Sequence, residues 1–136
     1  MDREKLRLQL MKHEGVKLFP YIDTVGKITI GVGRNLTDRG ISSTVAFDML
    51  DDDIDRCIHE LSSFDWFLGL NDVRKRAMID MVFNLGLTRF LGFRKLIAAM
   101  SVSDFDEAAH QMIDSDWATQ VGMRANTLAN MVKNGY

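Results

Sequence analysis

The sequence has one cysteine and one proline among its 136 residues, and it has no long apolar run. A single cysteine, Cys57, excludes an internal disulfide and a cysteine-based zinc cluster. Because it lies among apolar positions of a predicted helix (Ile54, Ile58 and Leu61), we interpret Cys57 as a buried, inert thiol. No segment approaches the roughly 20 apolar residues that a membrane-spanning helix needs, so stable membrane insertion is not expected.

Charge of one sign is not in excess either: 17 Lys and Arg face 19 Asp and Glu, for a net charge of −2. A nucleic-acid partner is therefore not expected. The acidic run at residues 51–55 is interpreted as a solvated helix face, because a calcium loop would need spaced ligands and a glycine turn. The three histidines, His13, His59 and His110, have no metal-ligand spacing, so we expect no metal and no cofactor.

The amino-terminal residues alternate charge with leucine and lack the apolar core of a signal peptide. We therefore expect synthesis in the cytoplasm without a signal peptide. The length and the 46% hydrophobic content predict one globular domain, residues 1–136, and we expect a monomer.

Local signals place three polar residues on three different structures. A first helix is predicted from Asp2 as its cap to Gly15 as its stop, with Glu14 in the last turn. Asp23 falls in a turn, and Thr29 falls in a strand over residues 27–33. Alternation predicts that Thr29 and two glycines form the exposed face of that strand, so either another group approaches the backbone or the strand bulges or twists there.

Helical periodicity dominates the rest of the chain. It predicts a long helix from Ser42 or Ser43 to about Leu61, and a central helix over 73–86 that is capped by Asn71 or Asp72 and ended by Gly86. Shorter helices are predicted over about 92–100, 104–114 and 123–133, with a break at 115–122. The fold class is therefore α+β. We expect a small β-lobe at about 14–40, a connecting helix at about 41–62, and a helical lobe at about 70–136 that also includes residues 1–13.

Glu14, Asp23 and Thr29 fit the needs of glycoside hydrolysis, which uses two carboxyl groups with only one protonated. A helix-end carboxyl among apolar neighbours suits the acid, and a carboxylate in a polar turn suits the ionised partner. A hydroxyl can orient the attacking water. On spacing alone, however, surface carboxylates and a strand threonine explain these residues equally well.

The same stretch strongly resembles the phage-type lysozymes of glycoside hydrolase family 24. Their signature is a Glu-Gly at a helix end, an aromatic extended piece, an Asp in a turn, and a Thr-Ile-Gly-x-Gly strand. Here these are Glu14-Gly15, residues 18–21, Asp23-Thr24 and residues 29–33, and the resemblance resumes at residues 71–77, 81–86, 92–93 and 105–109, at Trp117 and at Arg124.

The resemblance implies a lysozyme-like fold with a cleft between two lobes. It also implies a muramidase that hydrolyses the β-1,4 bond between N-acetylmuramic acid and N-acetylglucosamine in peptidoglycan. Glu14 would be the general acid, Asp23 would stabilise the transition state or take part in displacement, and Thr29 would position water. An inverting outcome implies carboxyl groups roughly 6.5–9.5 Å apart. Such an endolysin would reach the periplasm through holin-type release or another route.

Two alternatives stay open at this point. A lytic transglycosylase uses one catalytic Glu and would not need Asp23 or Thr29. A non-catalytic wall-binding module would be expected to lose one of the three polar residues, yet all three are present.

The resemblance also implies substrate-binding roles for Phe83, Gln111, Asn35 and Arg124. Phe83 is equally compatible with a core position, and Arg124 with a structural salt bridge. Trp117 is interpreted as core.

The sequence departs from the family in three respects. Arg34 follows the Gly-x-Gly strand, where several relatives have histidine, and the segment between Asn35 and Asn71 is shorter than in well-known members. A pI near 5.9 contrasts with their basic character and predicts weak attraction to anionic walls, with a modest salt dependence.

Overall fold

The computed structural model describes every residue from Met1 to Tyr136, as ten helices and three strands. In chain order these are α1 (Arg3–Glu14), β1 (Lys17–Ile22), β2 (Ile28–Gly31), β3 (Arg34–Asn35), α2 (Leu36–Arg39), α3 (Ser43–Leu61), α4 (Asp65–Leu68), α5 (Asp72–Leu85), α6 (Leu87–Leu91), α7 (Arg94–Ser101), α8 (Phe105–Ile113), α9 (Asp116–Val121) and α10 (Met123–Asn134). A mostly helical chain with one small antiparallel sheet confirms the α+β class.

The chain forms two compact units, Met1–Asp48 and Met49–Tyr136. The first unit holds α1, α2, the sheet and the start of α3, and the second holds the remaining helices. The finer division expected from the sequence, with residues 1–13 in the helical lobe, stays a prediction. None of the helices combines the length and the apolar character needed to cross a bilayer.

Helix α1 has the boundaries that its sequence predicts. The Asp2 side chain accepts a hydrogen bond from the Lys5 amide at 3.0 Å, which satisfies one of the unpaired amides of the first turn. Gly15, at φ 75°, follows the last turn and donates its amide to the Met11 carbonyl at 2.9 Å. Glu14 is thus the last residue of the helix.

The sheet has β2 at its centre, in the order β1-β2-β3. Thr29 pairs with Tyr21 on one side and Asn35 on the other, and Ile28 pairs with Ile22. The prediction that Thr29 lies on the exposed face is wrong, because Thr29 is only 4% exposed whereas Ile22 and Ile28 are 65% and 46% exposed. Alternation determines which residues share a face, but the fold decides which face is covered.

Helix α5 contributes five buried residues to the core of the second unit, in which α10 and α8 make the most extensive contacts with other helices. Asn71 caps α5 by accepting a hydrogen bond from the Arg74 amide at 2.9 Å, and Gly86 ends it. Helix α10 packs against α8, α5 and α9, and α7 packs against α8. The fully buried residues of α5 are Ala77, Met78, Met81 and Val82.

Four short helices differ from the sequence expectation. The predicted break at 115–122 contains α9, whose first turn is capped by the Ser115 hydroxyl accepting from the Ala118 amide at 3.1 Å. Helices α2, α4 and α6 likewise occupy segments that carry too few residues to show a helical period. Trp117 of α9 is only 2% exposed, so it is a core residue, as the sequence predicts, and its packing stabilises the helix.

Candidate active site

Glu14 lies at the carboxyl end of α1, where its side chain lines a groove of about 410 Å³ in the first unit. The carboxylate lies against the backbone of Gly33, in the turn after β2. The walls of the groove are mostly apolar, with one cation at Arg7. The other lining residues are Leu10, Met11 and Val32.

Asp23 is held by the turn that joins β1 to β2. Its Oδ1 accepts hydrogen bonds from the Val25 amide at 2.9 Å and from the Lys27 amide at 2.8 Å. Its own amide donates to the Lys27 carbonyl at 2.9 Å. These bonds fix the carboxyl group and give its Oδ1 two hydrogen-bond donors, as suits a carboxylate, which can only accept hydrogen bonds.

Thr29 is tied to the same peptide. Its hydroxyl donates to the Lys27 carbonyl at 3.1 Å, which leaves the lone pairs of Oγ1 free to accept. The main chain of Lys27 therefore orients both Asp23 and Thr29.

The three side chains are positioned by one short stretch of chain, from Lys27 to Gly33, which includes β2. The Asp23 contacts are made at Lys27, Thr29 follows two residues later, and Glu14 contacts Gly33 four residues beyond that. Strand β2 ends at Gly31 and the chain reverses before β3, so Gly33 lies in the turn at the end of β2. Thr29 lies between Lys27 and Gly33 in the sequence.

Phe83 and Arg124 line a second groove of about 340 Å³, within the helical unit. Phe83 is 39% exposed, so it is not a core residue. Arg124 donates from Nε and Nη2 to Asp80 Oδ1 at 2.8 and 2.6 Å. The structure therefore contains the salt bridge that was one of the two predicted roles of Arg124. Contact between Arg124 and substrate stays a prediction.

Gln111 lines a third groove of about 570 Å³ in the helical unit, with Trp117 at its wall. Its amide nitrogen donates to Glu107 Oε1 at 2.7 Å. The Trp117 indole donates to Asn84 Oδ1 at 2.9 Å, so the one polar atom of this core residue is satisfied. Three cations also line the groove: Arg89, Arg94 and Lys95.

Asn35 has a local structural role. Its Oδ1 accepts from the Asp38 amide at 3.0 Å and its Nδ2 donates to the Asp38 carboxylate at 2.9 Å, which caps α2. Its predicted contact with substrate is not tested by these bonds. Arg34, its neighbour in β3, is exposed and pairs through the backbone with Ile30.

Comparison with known proteins decides the family of this chain. The profile of the family described as Phage lysozyme matches residues 11–133. The chain belongs to the phage lysozyme family. "Probable T4-type lysozyme 1" of Dictyostelium discoideum is 26% identical over 152 aligned positions, covering 90% of this chain and 89% of the relative. "Probable T4-type lysozyme 2" of the same organism is 25% identical over 160 positions, covering 96% and 94%.

Membership of the phage lysozyme family makes the chain a lysozyme-type glycoside hydrolase. The matched residues include Glu14, Asp23 and Thr29, and they span both compact units. The family match does not itself assign roles to individual side chains.

Two features of this candidate site were not predicted from the sequence. Arg7 lies seven residues before Glu14 on α1, which is two helical turns, so the spacing alone places both on one face. The anchoring role of the Lys27 backbone had no such signal, because main-chain groups are the same at every residue and only the turn geometry selects this one.

Proposed function

We propose that this phage lysozyme is a muramidase. It hydrolyses the β-1,4 bond between N-acetylmuramic acid and N-acetylglucosamine in the glycan strands of bacterial peptidoglycan. Glu14 protonates the leaving-group oxygen, Asp23 stabilises the oxocarbenium-like transition state, and Thr29 orients the attacking water. The reaction inverts the configuration at the anomeric carbon.

The observation that carries this proposal is the difference between the two carboxyl environments. Glu14 lies in a groove with apolar walls, and Asp23 accepts two backbone N–H bonds. A carboxyl group that faces a groove can reach the oxygen of a bound glycan, whereas one held by two backbone N–H donors is fixed as a hydrogen-bond acceptor. The two environments therefore suit a proton donor and a stabilising partner. The free lone pairs of Thr29 Oγ1 suit a hydroxyl that holds a water molecule.

The helical unit supplies candidate substrate contacts. The half-exposed ring of Phe83 offers an apolar face to a sugar ring, and Arg124 lies on the same groove. Gln111 adds an amide to a groove that also carries three cations and the carboxylates of Asp114 and Asp116, and these groups can donate to and accept from the polar substituents of peptidoglycan. Asn35 is a fourth candidate contact, although both polar atoms of its side chain are bonded to Asp38 in the cap of α2.

The test is digestion of purified peptidoglycan by the wild type, Glu14→Gln and Asp23→Asn, with NMR detection of fresh reducing ends before mutarotation. We expect α-anomeric reducing muramic acid ends from the wild type and none from Glu14→Gln. Asp23→Asn keeps the Oδ1 acceptor but loses the charge, so it should fold normally and lose on the order of a hundredfold or more in rate. Asp48→Asn, which changes an exposed carboxylate of the same unit that pairs with no other side chain, is the matched control and should retain activity.

Other products identify the alternatives. Ends carrying a 1,6-anhydro sugar would show a lytic transglycosylase, and Asp23 would then lose its assigned role. Binding to peptidoglycan without cleavage by the wild type would show a wall-binding module. Full activity of Glu14→Gln would remove Glu14 as the acid.

A further inference from the structure

Gly33 makes a close approach to the Glu14 side chain. A Cβ atom built on Gly33 would lie 2.8 Å from Glu14 Oε2, 3.1 Å from Cδ and 3.3 Å from Cγ. A contact below 3.0 Å does not occur between a Cβ and another heavy atom without displacement of one of them. The Glu14 carboxyl therefore occupies the space that any other residue at position 33 would fill.

Gly31 provides the comparison within the same loop. Its φ is 69°, nearly the same as the 66° of Gly33, so both backbones are in the left-handed region that disfavours side chains. A Cβ on Gly31, however, would meet nothing within 4 Å. The two glycines share the conformational requirement, and only Gly33 also makes room for Glu14.

We propose that Gly33 is a positioning residue for Glu14. Because Gly33 has no side chain, its backbone leaves open the space that the carboxyl of the general acid occupies, and we call this space the seat. This inference rests on the proposed function of Glu14. Because the atoms that a Cβ would displace belong to the end of a flexible side chain, Gly33→Ala should move Glu14 rather than unfold the turn. Misplacement of a catalytic group by about 1 Å can cost on the order of a hundredfold in rate.

The experiment compares Gly33→Ala with Gly31→Ala. We expect both variants to lower the urea midpoint of unfolding by similar amounts, because an alanine at either position is strained by nearly the same positive φ. On a soluble peptidoglycan fragment, Gly33→Ala should lower kcat on the order of a hundredfold relative to Gly31→Ala, with KM close to that of the wild type. The ¹³C carboxyl resonance of Glu14 should move in Gly33→Ala only.

Gly33→Asn and Gly31→Asn form a second pair, because asparagine tolerates the left-handed region better than alanine. This pair decides the matter if Gly33→Ala does not fold. Equal kcat values in the two members of a pair that folds, together with an unmoved Glu14 resonance, would overturn the inference.

The resonance also separates this inference from the proposed function. If Glu14→Gln is fully active but Gly33→Ala moves the Glu14 resonance, the seat exists and the catalytic role of Glu14 fails. If Glu14→Gln is inactive and the resonance stays unmoved in Gly33→Ala, the catalytic role holds and the seat does not exist.

Discussion

The main chain of Lys27 shows how single backbone groups build this site. Its amide donates to the Asp23 carboxylate at 2.8 Å, and its carbonyl accepts from the Thr29 hydroxyl at 3.1 Å. A carboxylate and a hydroxyl are thus anchored to the same residue. The proposed roles of Asp23 and Thr29 need such anchoring, because the positioning of reacting groups supplies a large share of enzymatic rate enhancement. The side chain of Lys27, which pairs with Asp38 at 3.2 Å, helps to hold this peptide in place.

Cys57 is the clearest case of a residue whose ionisation depends on folding. The side chain is fully buried in the helical unit. Burial raises the pKa of the Cys57 thiol, and Glu60 and Asp53 raise it further, against an opposing effect of Arg56. The thiol is thus held neutral, in agreement with its interpretation as inert.

The stability of the protein should fall at alkaline pH because of this thiol. A raised pKa means that the folded state holds the proton more tightly, so the contribution is complete below the unfolded-state pKa of about 8.5 and is lost as pH rises through the folded value. Urea unfolding of the wild type and Cys57→Ala from about pH 7 to about pH 10 measures it. The wild type should lose more stability over this range than Cys57→Ala, and parallel curves would contradict the prediction.

At the scale of elements, Arg74 connects three helices of the second unit. It extends from the first turn of α5, donating from Nε to the Val132 carbonyl at 2.6 Å and from Nη2 to the Lys133 carbonyl at 3.1 Å. Its guanidinium also lies 3.6 Å from the centroid of the Phe105 ring on α8. A cation at the last carbonyls of α10 satisfies groups that have no partner within that helix.

Removal of Arg74 should therefore be costly for a partly exposed residue. We expect Arg74→Ala to lower the free energy of unfolding by about 2 kcal/mol, from two charged hydrogen bonds and one cation–π contact. Arg76→Ala is the matched control on the same helix, because its exposed pair with Asp72 is worth only about 0.5 kcal/mol. Denaturant titration of both variants measures the difference, and equal losses would show that Arg74 does not join the helices.

At the scale of the whole molecule, charge is divided between the units. Residues 1–48 carry eight Lys and Arg against six Asp and Glu, and residues 49–136 carry nine against thirteen. The basic excess is small and lies in the unit that holds Glu14 and Asp23. A net charge of −2 gives little long-range attraction to an anionic wall.

The activity on intact cell walls should accordingly depend only modestly on salt. Between 0.01 M and 0.15 M ionic strength the Debye length shrinks from about 30 Å to about 8 Å, which would weaken any electrostatic steering. We expect the initial rate of wall lysis to change little over this range. A steep loss of activity would indicate that local basic residues dominate wall binding.

Local chemistry in the sequence was sufficient for much of this protein. Asp2, Asn71 and Gly86 mark helix ends through bonds to residues three or four positions away, so their roles could be predicted without the fold. The α+β class and the identity of Glu14, Asp23 and Thr29 as candidates came from the same short-range patterns and from motif resemblance.

Only the tertiary structure decided the contacts between distant residues. The burial of Thr29, the approach of Glu14 to Gly33, and the reach of Arg74 to Lys133 join positions whose distance in space no local rule determines. The break predicted at 115–122 became α9 for the same reason, since packing of Trp117 outweighed weak local signals. Short-range hydrogen bonds follow directly from the order of residues in the sequence, whereas burial depends on which surfaces the whole chain brings together.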